Sequence, residues 1–314
     1  MKGLELAKGY YEEFGKPMLE RDFPHLLPYL AIGLVGSGSE RYGFDDEVSQ
    51  DHDFEPGFCI FLPGEDILDR RSAFLLERAY AKLPKEYRGV QRQSISPVGG
   101  NRNGVLRTAE FYEAAVGAAD GKLSIDAWLH IPDYALAEAV NGEVFFDDFG
   151  EFSAIRASLA AMPRDAKLKR LAGGLLLMAQ AGQYNFARCL AHGEAEAAQL
   201  ACHEFVNAAL KVAFLLRDRY LPYYKWSFRA LRSLEGTETL AERLSLLLRG
   251  DVPDNETAKE KYRVIEAVAA ETIAALQEQK LTKATCGDLE KHAYSVNDAI
   301  TDGTIRNLHI LTAV

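Results

Sequence analysis

Between Gly36 and Phe54 the chain reads Gly-Ser-Gly-Ser-Glu-Arg-Tyr-Gly-Phe-Asp-Asp-Glu-Val-Ser-Gln-Asp-His-Asp-Phe. This stretch combines two kinds of chemistry. A Gly/Ser turn placed directly after an apolar run offers backbone N–H groups and hydroxyls, here at Gly38 and Ser39, to phosphate oxygens. Asp51 and Asp53 stand two residues apart, and on an extended strand such side chains share one face. Paired carboxylates hold hard divalent cations such as Mg²⁺ or Mn²⁺ through oxygen. Ions held this way position a triphosphate and stabilise its attacking and leaving oxygens. Alternation sends His52 to the opposite face, which makes it structural. The plainer reading is a turn followed by a solvated acidic loop. Two commoner phosphate loops do not fit: G-x-G-x-x-G from Gly36 ends on Arg41, and the G-K-[ST] of a Walker A loop is missing.

Elements must hold these residues in place. Leu30–Val35 and Phe58–Leu62 read as buried strands, and Gly89–Ile95 and Lys122–Asp126 as weaker ones. Amphipathic runs at Arg70–Leu83 and Thr108–Val116 lie between them. From about Glu151 the texture changes to Ala, Leu, Glu and Arg in 3.6-residue periods. Helices are expected over Leu168–Ala181, Glu194–Arg219, Leu240–Leu248 and Thr257–Gln279, with no strand beyond about Asp148. The expectation is an α+β chain of two domains. Residues 1–150 would form a small mixed sheet with helices, and residues 151–314 an all-helical bundle.

A Gly-Ser turn after a strand, followed by D-x-D, resembles the polymerase-β-like nucleotidyltransferase superfamily. Gly38-Ser39-Glu40, Gly43-Phe44-Asp45-Asp46-Glu47, Ser49 and Asp51-His52-Asp53 are similar to the bacterial family known as domain of unknown function 4037. So are Gly142–Asp147, Phe214-Leu215-Leu216 and Arg219–Trp226. The resemblance implies a nucleotidyltransferase fold, with Asp51 and Asp53 on Mg²⁺ or Mn²⁺ and an NTP as substrate. Gly38 and Ser39 would lie on the phosphates. It also implies a third carboxylate on a neighbouring strand. Asp126 is the candidate, as base or further ion ligand, with Asp120 and Asp133 as weaker alternatives; Asp126 reads equally well as a helix cap. In Tyr223-Tyr224-Lys225-Trp226, Lys225 would reach the triphosphate and an aromatic ring would stack on the base. The alternative is an amphipathic patch that fills the core. Lys211 reads as an ordinary helix-surface lysine.

The implied reaction transfers a nucleoside monophosphate to an acceptor, a small molecule, RNA or protein, and releases pyrophosphate. A non-catalytic nucleotide sensor or an antitoxin-like partner of another protein is the reading from a different class. The 314 residues carry a net charge of -10 and a pI near 5.3, which argues against general duplex-DNA binding. No apolar run is long enough to span a bilayer, and Met1–Glu5 lacks a secretion signal, so a cytoplasmic protein without a membrane partner is expected. Cys59, Cys189, Cys202 and Cys286 form no C-x-x-C pair and are expected as free thiols. His203-Glu204 lacks the second histidine of a zincin, because Asn207 stands there. Arg188 and His192 are too closely spaced for the ribonuclease motif of HEPN toxins.

Overall fold

The computed structural model describes residues 1–48, 54–92, 102–249 and 255–314. The chain divides into two compact units: Met1–Lys122 with Ala135–Ala161, and Leu123–Tyr134 with Met162–Val314.

The first unit is built on a four-stranded mixed sheet in the order β5-β2-β1-β6. β1 (Ala31–Leu34) and β2 (Cys59–Leu62) are the two strongest apolar runs and are buried along their whole length. They pair antiparallel, Gly33 opposite Cys59. β5 (Gly104–Arg107) lies parallel to β2, and β6 (Glu143–Asp147) lies antiparallel to β1. The β1–β6 register shifts between Ile32 and Gly33. Glycine is needed there, because a Cβ on Gly33 would stand 2.6 Å from the carbonyl oxygen of Glu143. β3 (Glu86–Tyr87) and β4 (Val90–Gln91) form a separate two-stranded hairpin. Of the strand expected at Gly89–Ile95, the described part is therefore this two-residue β4; residues 93–101 lie outside the described residues.

Alternation along β2 divides its side chains between two cores. Phe58, Ile60 and Leu62 join Leu30 and Ile32 against α1 (Gly3–Tyr10) and α3 (Arg70–Ala81). In α1, Gly3, Leu6, Ala7 and Tyr10 recur at helical spacing and are buried. On the other face Phe61 stacks on Phe152 of α7 (Glu151–Ala160) with centroids 4.1 Å apart. Phe111 and Tyr112 of α4 (Thr108–Val116) complete this aromatic core.

The second unit is helical, and no strand follows Asp147 among the described residues. α8 (Arg164–Met178) runs through its centre, packed by α10 (Ala195–Leu215) and α14 (Leu289–Asp298). Even Lys169 of α8 is buried. Its ammonium donates to Asn297 Oδ1 (2.9 Å) and to the carbonyls of Leu308 (2.6 Å) and Arg306 (3.3 Å), and burial lowers its pKa. α11 (Tyr224–Arg232), α12 (Glu238–Leu248) and α13 (Asn255–Glu278) complete the main packing. The chain is thus α+β, with a small mixed sheet in its N-terminal part and helices after it, as expected.

The strand expected at Lys122–Asp126 does not form. Ile125–His130 is instead a short helix, α5, capped by Ser124, whose hydroxyl accepts from the Ala127 N–H at 3.1 Å. α6 (Asp133–Val140) follows it. No described helix is long and apolar enough to cross a membrane.

Candidate active site

β1 runs into the Gly/Ser turn that the sequence marks for phosphate. Gly36 and Gly38 have φ of 102° and 137°, values that side-chain-bearing residues rarely adopt. Ser39–Tyr42 then forms a single 3₁₀ turn. Asn141 holds Gly36 on both sides: its Oδ1 accepts from the Gly36 N–H at 2.8 Å and its Nδ2 donates to the Gly36 carbonyl at 2.7 Å. Arg41 is buried and pins the turn from below. It donates to the carbonyls of Val35 (2.7 Å) and Arg102 (2.9 Å) and to Asn103 Oδ1 (3.0 Å), and pairs with the Glu40 carboxylate. Ser37 is exposed and Ser39 half-buried.

The sheet topology brings four chain segments to one end. Gly33 faces Cys59, Cys59 faces Gly104, and Leu34 faces Glu143. The chain therefore leaves β1 at the same sheet end where it begins β2, β5 and β6. Residues 35–39, 54–58, 102–104 and 141–142 meet there. Glu55 belongs to this group and accepts from Asn103 Nδ2 at 3.2 Å. Asp51, His52 and Asp53 lie outside the described residues, directly before Phe54 in the chain.

Two further carboxylates lie here: Glu138, which no sequence motif marks, and Asp45, which the sequence marks only as part of the family-like motif. Glu138 of α6 is half-buried, and the Ser37 hydroxyl is near enough to favour its charged form. Burial raises its pKa above the ordinary value, against the influence of Ser37 and the charges of Arg102 and Arg41. Asp45 is buried; its Oδ2 accepts from the Gly3 N–H at 2.8 Å, at the N-terminus of α1. Its Oδ1 has no hydrogen-bond partner among the described residues.

The other expected site residues sit elsewhere. Asp126 is on α5, in the second unit, with its side chain 84% exposed and 3.2 Å from His130 Nδ1. It is a first-turn helix residue and not a strand residue. Lys225 is exposed on α11, with its ammonium 5.1 Å from the centroid of the Trp226 ring. Tyr223 and Tyr224 line a cavity of the second unit together with Lys211, the lysine read as surface, and Lys225 is not part of that lining. Among the described residues no three His, Cys, Asp or Glu side chains cluster as a metal site.

Residues 128–227 match the sequence profile of the family described as a domain of unknown function, DUF4037. The matched stretch holds Glu138, Asn141, β6 and most of the elements around that cavity. No curated protein matches the chain. A solved structure of a nucleotidyltransferase-like protein from Exiguobacterium sibiricum is similar over 90% of this chain and 90% of its own, at 10% identity and a TM-score of 0.29. Over residues 128–227 the chain matches the domain of unknown function 4037, the family its motifs resemble.

Proposed function

We propose that the protein is a nucleotidyltransferase that uses Mg²⁺ or Mn²⁺ to move a nucleoside monophosphate from an NTP to an acceptor, with release of pyrophosphate. One observation carries the reading: the Gly36–Ser39 turn leaves β1 at the sheet end where β2 begins, and Asp51 and Asp53 shortly precede β2 in the chain. The donors of Gly38 and Ser39 suit the phosphate oxygens. The carboxylates of this sheet end and the loop after the turn suit a hard cation in kind, and Asp45 Oδ1 is a buried carboxylate oxygen with no described partner. Asp51 and Asp53 would hold the ions, whose contribution is to neutralise phosphate charge.

A base is also required. Asp126 is the base the sequence suggests, but Glu138 is the carboxylate beside the turn, and burial makes it a stronger base than an ordinary glutamate. We therefore assign Glu138 to the acceptor proton and keep Asp126 as the variant to compare with it. Lys225 is exposed beside Trp226 on α11, and its role toward phosphate remains part of the proposal.

A second reading, a nucleotide-sensing or antitoxin-like module, is favoured by one feature. β5, the parallel neighbour of β2, reads Gly-Val-Leu-Arg and offers no carboxylate to the site. Calorimetry with ATP, GTP, CTP and UTP, with and without metal, tests both. Metal-linked binding with turnover supports the enzyme. Metal-linked binding without turnover, across a broad screen of acceptors, leaves the sensor, and equal binding in EDTA overturns the ion site.

A further inference from the structure

The second unit contains a cavity of about 580 Å³ whose lining belongs wholly to that unit. The volume suits a small ligand. Leu129, Leu177 and Leu221 contribute apolar lining. Within the lining Arg170 and Asp133 form a buried ion pair at 3.2 Å. Arg170 also donates to the carbonyls of Trp128 (3.2 Å) and Ile131 (3.1 Å), which holds its guanidinium against the protein.

Lys211 is a second cation of the lining, and it makes no ion pair of its own among the described residues. It comes from α10, whose Glu204, Asn207, Ala208 and Lys211 recur at helical spacing and all line the cavity. Lys211 is half-buried, and its ammonium has no hydrogen bond or ion pair among the described residues. Tyr134, Tyr223 and Tyr224 add three aromatic rings to the lining. Tyr134 meets Tyr223 edge-on at 5.8 Å, Tyr223 lies 4.5 Å from Tyr224, and all three remain exposed, at 44%, 42% and 75%.

We propose that this cavity binds a small planar aromatic anion, with its ring against the tyrosines and its anionic group on Lys211. The exposed rings can stack on a ligand, and the half-buried ammonium, whose charge also acts on Asp133, can make a charge-assisted contact to an anion. Glu204 lies two helical turns from Lys211, about 10 Å along the helix axis. Its charge disfavours a second anionic group at that end, so the ligand carries one anionic group and is not a triphosphate. The proposal is independent of the nucleotidyl-transfer reading.

The test is calorimetry on the full chain with three probes: 2-naphthoate, 2-naphthylmethylammonium and cyclohexanecarboxylate. Naphthoate is expected to bind about tenfold more tightly than either of the others. Lys211→Gln should remove about that factor for naphthoate and leave the ammonium probe unchanged or tighter, while Lys211→Arg keeps naphthoate binding. Tyr224→Ala should weaken both naphthyl probes and leave cyclohexanecarboxylate unchanged. Equal affinity for naphthoate and the ammonium, no binding of naphthoate, or naphthoate binding unchanged in Lys211→Gln would each overturn the proposal. Unchanged melting temperatures of the Lys211 variants show that any lost binding is not unfolding; if Lys211→Gln melts early, the Lys211→Arg and Tyr224→Ala results decide.

Discussion

Asn141 and Gly36, 105 residues apart in the chain, share a reciprocal pair of hydrogen bonds at 2.8 and 2.7 Å. The side-chain amide thereby acts as one rung of backbone for a turn that has left the sheet. Asn141→Leu leaves both groups of Gly36 unpaired and is expected to cost about 1–3 kcal/mol. Urea denaturation measures it, as a lower midpoint at unchanged slope. NTP affinity should fall as well, because the turn loses its anchor.

Asp53→Asn keeps the shape of the side chain and removes its charge. If Asp53 holds the ions, the variant binds NTP equally with and without Mg²⁺, and turnover is lost. Calorimetry in Mg²⁺ and in EDTA reads the difference. Full retention of metal-linked affinity would remove Asp53 from the site.

Glu138→Gln and Asp126→Asn separate the two candidate bases. Glu138→Gln is expected to slow transfer by about 10²–10⁴-fold while Mg-NTP still binds, and Asp126→Asn to leave transfer nearly unchanged. Because burial raises the Glu138 pKa, the rate of the parent should fall with falling pH before an ordinary glutamate would protonate. That acid limb should be absent from the residual rate of Glu138→Gln. The opposite pattern, with Asp126→Asn as the slow variant, returns the role to Asp126.

Arg170→Met strips Asp133 of its nearest cation in a buried setting. The cost at pH 7.5 is expected to be about 3–5 kcal/mol. Burial already raises the Asp133 pKa, against the pull of Arg170 and Lys211, and losing Arg170 raises it further. A folded pKa above the unfolded one adds stability at low pH that is lost as pH rises through the folded value. The variant should therefore recover part of its loss between pH 7.5 and pH 5 in paired denaturation curves.

β1 and β2 were legible because each is an unbroken apolar run bounded by Gly, Ser or Pro, and the helices around Leu171 and Phe205 because their period is sustained. The segment Lys122–Asp126 misled because its length suits a strand, whereas Ser124 closes a helical cap. β5 is only four residues long and runs straight into α4, so no period marks it. Glu138 sits in Ala-Leu-Ala-Glu-Ala-Val, where a glutamate reads as a solvent-facing residue. What brings it to Ser37 is the pairing of β1 with β6, a contact between distant residues that no local pattern encodes. Lys211 was hidden for the same reason: the cavity it lines is assembled from segments spread between Leu129 and Val314. The Gly38-Ser39 turn was legible and has the backbone expected of it, while Asp51 and Asp53 lie outside the described residues.

Residues 123–134 belong to the second unit but interrupt the first. This shapes how the protein is made. As the chain emerges from the ribosome, Trp128 and Leu129, both buried in the finished protein, appear well before Arg170, whose guanidinium donates to the Trp128 carbonyl. Domains usually complete themselves in order of synthesis. Here the first unit must close around an excursion whose own packing partners are still to be translated. A chain stopped at Ala161 would keep every residue of the sheet unit and still present an indole and a leucine with nothing from α8 to cover them, so the two units cannot be separated by a single cut.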